Sequence, residues 1–263
     1  MITGKPTENL NGILLEGDYD DFYDLVDSIH RMTGLEEYYE DPYWSVKNRL
    51  LGLCFDIRHA YQGDRTVKLV DNGAGEELMK LHSMIMPSQN VHFAVEVMFP
   101  EAVFVALSVQ ELYNASRPEY GKKARDKYER GPGPRIRANT YAEYIKDQAL
   151  LDTLRSVILT ALAEVIGDEE LEKLMRQIGS RSYYESYYDY YAAQYVDKCN
   201  IEYLKTPRDK KADKLRNITR RLIKKPSGYN SMKEDLMYAA KIHGCSFHEL
   251  QDSKLIYPEE VKW

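Results

Sequence analysis

Residues Tyr38–Arg65, YYEDPYWSVKNRLLGLCFDIRHAYQGDR, form the most sharply specified stretch of this chain. Asp41 stands where an N-cap belongs, and Pro42 follows at the first helical position. Val46, Leu50, Leu53, Cys54, Ile57 and Tyr61 recur at spacings of three and four, the signature of one apolar face of an α-helix. Gly63 can adopt the left-handed conformation that ends a helix. The pattern predicts a helix over 43–61, with Lys47, Arg49, Asp56 and His59 on its polar face and a sheet packed on its apolar face. Gly52, inside the pattern, reads as a close helix–sheet contact.

Outward from this helix, three strand candidates supply the sheet. Asn11–Glu16, NGILLE, is a short strand, and Arg65–Asp71, RTVKLVD, is a second. Val91–Phe99 alternates, with Val91, Phe93, Val95, Val97 and Phe99 on one face and His92, Ala94, Glu96 and Met98 on the other. Residues 1–9 read as a loose lead-in. Asp18, Asp20 or Asp21 caps a helix carrying Phe22, Leu25, Val26 and Ile29, which Gly34 stops. The acidic residues between Asp18 and Asp27 suit the positive end of that helix's dipole, with a metal-binding carboxylate site as the sharper alternative. Asn72-Gly73 turns the chain before a short helix over Glu76–Ile85. Pro100 and Glu101 open a helix through Tyr113, although the run VFVALSV leaves a strand open.

From Tyr141 the pattern is helical throughout. Ile145, Leu150, Leu151, Leu154, Ile158, Leu159, Leu162 and Ile166 support one long helix, and Glu169–Ile178 a second. Tyr183–Tyr195 holds seven tyrosines, read as an aromatic packing face or as a stacking platform. Lys205–Lys225 carries ten basic residues against two acidic ones, with Leu215, Ile218 and Leu222 as an apolar stripe. In the tail, Ser231 with Glu234 reads as a capping box, and AAKIHGCSFHEL has the outline of a helix, a glycine turn and a second helix from Ser246. These readings give an α+β fold: a small, mainly antiparallel sheet packed on helices, then an all-helical C-terminal region. Three segments follow: a mixed α/β domain over 1–113, a basic Gly/Pro-rich connector over 114–140 and a helical domain over 141–263.

Composition narrows the functional classes. The apolar fraction is 43%, ordinary for a globular chain of 263 residues, and no run of eighteen apolar residues predicts a membrane span. The N-terminal sequence MITGKPTENLNG lacks the basic and apolar regions of a secretory signal. Cys54, Cys199 and Cys245 are odd in number and match no metal spacing, which predicts reduced thiols and a cytoplasmic location. The net charge of −6 hides an asymmetry, because residues 1–118 are acidic and residues 119–263 carry a small basic excess. Opposite signs in the two parts suggest two different surfaces.

No phosphate loop, GxGxxG, HExxH, GxSxG or paired CxxC occurs. None of the six histidines forms an i, i+4 ligand pair, so neither a metal nor a cofactor is implied. Asp56, Arg58, His59, Asp64 and Arg65 form the one group with catalytic flavour, with His59 as a general base oriented by a carboxylate. The competing reading is a basic cluster at a helix C-terminus.

The strings TENLNGILLEGDYDDFYDLVDSIH, RLLGLCFDIRHAYQGDR, VKLVDNG and VMFPEAVFVAL resemble an uncharacterised bacterial family known as a domain of unknown function, over residues 6–113. Gly52–Arg65 is the most specific part. The resemblance implies a mixed α/β domain from a bacterium or phage, with no activity, cofactor or catalytic residue to transfer. The resulting expectation is a non-catalytic binding or regulatory protein. Its nucleic-acid contact would run through Lys210, Lys211, Lys214, Arg216, Arg220, Arg221, Lys224 and Lys225. A protein partner or a second copy is the other expected contact, and no membrane is. The alternative is a metal- or His-dependent phosphodiester hydrolase, nuclease-like in character.

Overall fold

A computed structural model of the chain describes residues 1–34, 43–120, 140–178 and 192–263. It begins with a hairpin of β1 (Thr3–Pro6) and β2 (Gly12–Gly17). Helix α1 (Tyr19–Thr33) follows, then α2 (Trp44–His59), which runs into a single π turn at Ala60–Asp64. Next come β3 (Thr66–Asp71), the short helix α3 (Glu76–Leu81), β4 (Gln89–Met98) and α4 (Phe99–Ser116). The rest is helical: α5 (Tyr141–Ile166), α6 (Asp168–Arg176), α7 (Ala192–Leu204), α8 (Lys211–Lys224) and α9 (Ser227–His243). The architecture is α+β, with a small N-terminal antiparallel sheet and a helical C-terminal region.

The four strands lie in the order β1-β2-β4-β3, every pair antiparallel. The register sets Ile13 opposite Val97 and Leu15 opposite Val95. Because paired residues share a face, these four make the buried side of the sheet. The lead-in is a correction: residues 3–6 are a strand. TGKP has no alternation of its own, and pairing with β2 imposes the extended form.

Helix α1 follows the sequence closely. The Asp18 side chain accepts from the Asp21 N–H at 2.8 Å, and the Asp21 carboxylate accepts from the Asp18 N–H at 3.2 Å, a reciprocal box that fixes the start. The central helix departs from expectation in its partners. It packs chiefly on α1 and α4 and meets the sheet mainly along β4. Gly52 has open space where a Cβ would point, so it marks no helix–sheet contact. Gly63 sits at φ +92° inside the π turn, the left-handed stop its sequence position implied. Asp41 and Pro42 lie outside the described residues.

Helix α4 is the true centre. VFVALSV is helical, and α4 is buried on almost every side, as a helix apolar all round must be. It packs on α5, α7, α8 and α2. The hydrophobic core therefore runs without interruption from Ile13 and Leu25 through Phe104 and Leu112 to Leu154, Tyr203 and Ile218. Polar ties cross the same path. Arg31 donates to both oxygens of fully buried Asp147, at 2.9 and 2.6 Å, and Tyr120 donates to the same carboxylate at 2.8 Å. Arg49 on α2 reaches Asp197 on α7 at 2.6 Å. The acidic and basic parts of the chain thus meet in the interior as well as presenting surfaces.

The last residues form an irregular strap. Gln194 donates to the Leu250 carbonyl at 2.9 Å, Tyr257 donates to Asp197 at 2.6 Å, and Asn11 donates to the Lys262 carbonyl at 2.6 Å. A Cβ at Gly12 would run into the Val97 carbonyl and the Trp263 ring, so the backbone of β4, with the end of the strap beside it, requires glycine there. Two expectations for the tail are corrected. Helix α9 starts at Ser227 after Pro226, not at a Ser231 box, because Pro226 already supplies the helical start. After Gly244 only a 3-10 turn at Phe247–Glu249 follows, so no second helix completes a helix-turn-helix.

Candidate interaction surfaces

The basic helix α8 buries the stripe that was read from its sequence: Leu215, Ile218 and Leu222 are core residues, joined by Ile223. Its cations are largely engaged by the protein itself. Lys211 is 3% exposed; its Nζ donates to the Tyr203 carbonyl at 3.0 Å and to Asn11 Oδ1, and it stands 4.2 Å from the Tyr203 ring centre. Burial pulls its pKa down to about 8. Its ammonium is thus turned inward and engaged by the protein itself.

Lys214 and Arg221 share one carboxylate, Glu202 on α7, at 2.9 and 2.7 Å. Arg221 also donates to the Tyr195 hydroxyl at 2.9 Å. Burial pushes the Glu202 carboxyl up, but the hydrogen bonds from Arg221 and Lys214 outweigh it and hold the group below its ordinary value. Arg216 pairs with Asp213 at 2.8 Å, and both it and Arg220 approach Glu170 on α6, at 3.8 and 3.5 Å. Lys225 adopts the left-handed conformation at the helix end, its Nζ 5.4 Å from the Tyr229 ring centre. Lys210 and Lys224 are exposed and, among the described residues, carry no ion pair. Of the tyrosine-rich segment, residues 183–191 lie outside the described residues, as do 121–139 of the basic connector. Tyr195 is buried and packs edge-on against Tyr229.

Four of the five aspartates between Asp18 and Asp27 are engaged locally: Asp18 caps, Asp21 meets the N-terminal amine, Asp24 meets Lys146 and Asp27 meets Arg31, while Asp20 is exposed. Among the described residues, no three His, Cys, Asp or Glu side chains converge as a metal site. At the end of α2, the π turn brings His59 Nδ1 within 2.8 Å of Asp64 Oδ2 and sets Arg65 against Asp56 at 2.8 Å. A carboxylate orienting a histidine is half of a general-base pair. The neighbouring Cys54 is no nucleophile for it, because burial pushes that thiol up to about 12. The pair also serves locally, closing the turn that launches β3.

The surface that sequence reasoning missed begins there. β3 and the first half of β4 extend past the end of β2, whose pairing stops at Gly17 opposite Phe93. Beyond that point they form a two-stranded ribbon, with α3 and the loop to Asn90 at its tip. Val67 faces Phe93 and Leu69 faces Val91, on the side that holds Leu15 and Val95 in the core. The apolar face of the sheet therefore runs on past the helices that cover it. Along β4, Val95 is buried and Phe93 half-buried, while Val91 is 46% exposed. Leu69 is 64% exposed, and at the tip Leu81 and Ile85 reach 77% and 99%. On the opposite face Lys68 pairs with Glu16, and His92 Nδ1 lies 3.5 Å from the same carboxylate. That side is polar and self-satisfied. The missed signal was present in the sequence as the apolar residues Met84, Ile85 and Met86, at and just past the end of the segment read as a short helix over Glu76–Ile85; the helix stops at Leu81.

Among the described residues no helix is long and apolar enough to cross a membrane. The family model "Domain of unknown function (DUF6904)" matches residues 2–263, so the likeness extends well past the 6–113 segment that first suggested it. No curated protein and no solved structure matches the chain.

Proposed function

Starting from a chain that belongs to the family described as a domain of unknown function (DUF6904), we propose a non-catalytic binding protein whose working contact is with protein, made by the β3–α3–β4 ribbon. The observation that carries this reading is the bare continuation of the sheet's apolar face through Val67, Leu69 and Val91. Contiguous exposed apolar surface of this kind costs solubility unless something covers it, and it marks interaction sites. The buried, free thiols of Cys54 and Cys199 support a cytoplasmic setting. A photo-crosslinking residue placed at Leu81 or Ile85 should trap a protein in the native cell, whereas one at Lys224 should not. Crosslinks from position 224 alone would overturn the proposal.

A second reading rests on Lys210 and Lys224, which point outward at the two ends of α8, with Lys205 and Arg208 exposed nearby. These cations suit a weak phosphate-backbone contact. Two phosphates contacted would give a slope of log affinity on log salt of about −2. A mobility-shift assay on single- and double-stranded DNA and RNA tests it. Lys210→Glu with Lys224→Glu should abolish any shift, and a shift that survives both substitutions removes α8 from the account.

A further inference from the structure

We infer that the protein covering the ribbon is a second copy of this chain, joined edge to edge through β3; the inference rests on the ribbon being the working contact. The two edges of the sheet differ in kind. β1 ends in Pro6, spans four residues and carries Lys5, features that blunt an edge against further pairing. β3 spans six residues without a proline, and its one cation, Lys68, is turned to the polar face and held by Glu16. Among the described residues its outer side is an unpaired row of backbone donors and acceptors.

An antiparallel strand is its own complement. Two β3 strands related by a two-fold axis normal to the sheet satisfy each other's edges, and this isologous contact closes after two copies. The same axis puts Val67 and Leu69 of both copies on one side of a continuous sheet, so the two bare apolar shelves merge. The exposed aliphatic and methionine side chains of each ribbon amount to on the order of 800 Å², an upper bound on the apolar area the contact could bury from them, against about 800 Å² per partner in a standard-size interface. A foreign strand would meet the same edge, but the second copy is the partner for which edge, face and apolar character already match.

Sedimentation equilibrium of the full chain tests this, with Val67→Lys and Leu69→Lys combined in one variant and Leu69→Gln as a milder second variant. The expected result is a wild-type mass near twice the 30.6 kDa of the chain. Association should weaken by at least about tenfold in the double variant, with a smaller loss for Leu69→Gln, and both variants should melt like wild type at concentrations low enough for all three to be monomeric. A wild-type monomer overturns the second copy. If the double variant also lowers binding of an apolar dye, the ribbon remains the docking surface for another protein. A wild-type dimer that neither variant weakens, or a monomer whose dye binding is unaffected, overturns both the dimer and the ribbon reading.

Discussion

Helix α8 and the β3–α3–β4 ribbon invert what their compositions suggest. The helix is dense in charge, yet Lys211 is buried and Lys214, Arg216, Arg220 and Arg221 are paired within the protein. The ribbon is a modest alternating strand with a short helix, yet its apolar side chains stand in solvent. The difference comes from position in the fold. α8 packs against α4, α5, α6 and α7, so carboxylates from α6 and α7 lie within reach of its cations. The ribbon leaves the body where β2 ends, so nothing in its own chain covers it among the described residues. Charge density marks a binding surface only when its counter-charges lie outside the chain, and hydrophobicity marks a core only where a second layer exists.

The largest test of this contrast makes one substitution in both regions. Leu222→Asp in α8, like Leu53→Asp in α2, buries an unpaired carboxylate and should cost about 3–5 kcal/mol, a large share of the roughly 5–15 kcal/mol that keeps a domain folded. Leu69→Asp, compared at concentrations where the chain is monomeric, should change fold stability by no more than about 0.5 kcal/mol. Urea titrations followed by circular dichroism compare them. Equal losses at 69 and 222 would erase the distinction.

A medium effect comes from the shared carboxylate. Glu202→Gln leaves Lys214 and Arg221 without their counter-charge and should cost about 1–2 kcal/mol near neutral pH. The Glu202 carboxyl titrates below its ordinary 4.5 in the folded protein, so its contribution is present above that pH and is lost as pH falls through the folded value. The stability gap between wild type and E202Q should therefore shrink under acid. A gap independent of pH would mean that the cations do not rely on the carboxylate's charge.

Lys211 gives the smallest effect, with the opposite sense in pH. Its folded pKa is lowered from 10.5 to about 8, so between those values the unfolded chain holds more protons and stability rises with pH. Tyrosines pushed above 10, Tyr203 among them, act against this at higher pH, so the informative quantity is the difference from Lys211→Met. Wild type should gain on K211M between about pH 8 and pH 9.5. A constant difference would place the lysine's charge in water.

Local signals were the legible part of the fold. The strand at 89–98 follows from alternation, those at 12–17 and 66–71 from short aliphatic runs between turn residues, and α1 from its capping residues, because these depend on neighbours in sequence. What escaped depends on distant partners. TGKP becomes a strand because β2 lies beside it, and Glu202 and Glu170 neutralise α8 from other helices. Alternation in TVKLVD declared that one face is apolar, but whether that face is roofed depends on where the helical layer ends. Of the residues read as a nucleic-acid contact, Lys210 and Lys224 remain as outward cations, at the ends of α8 where no carboxylate from α6 or α7 pairs with them.

Amide hydrogen exchange of the wild-type chain, compared between dilute and concentrated solution, tests the central claim most directly. The account predicts slowing confined to residues 66–71 and the ribbon tip up to Val91 as concentration rises, with α8 unchanged because its contacts lie within one molecule. Slowing in α8, with a ribbon that exchanges alike at both concentrations, would contradict it.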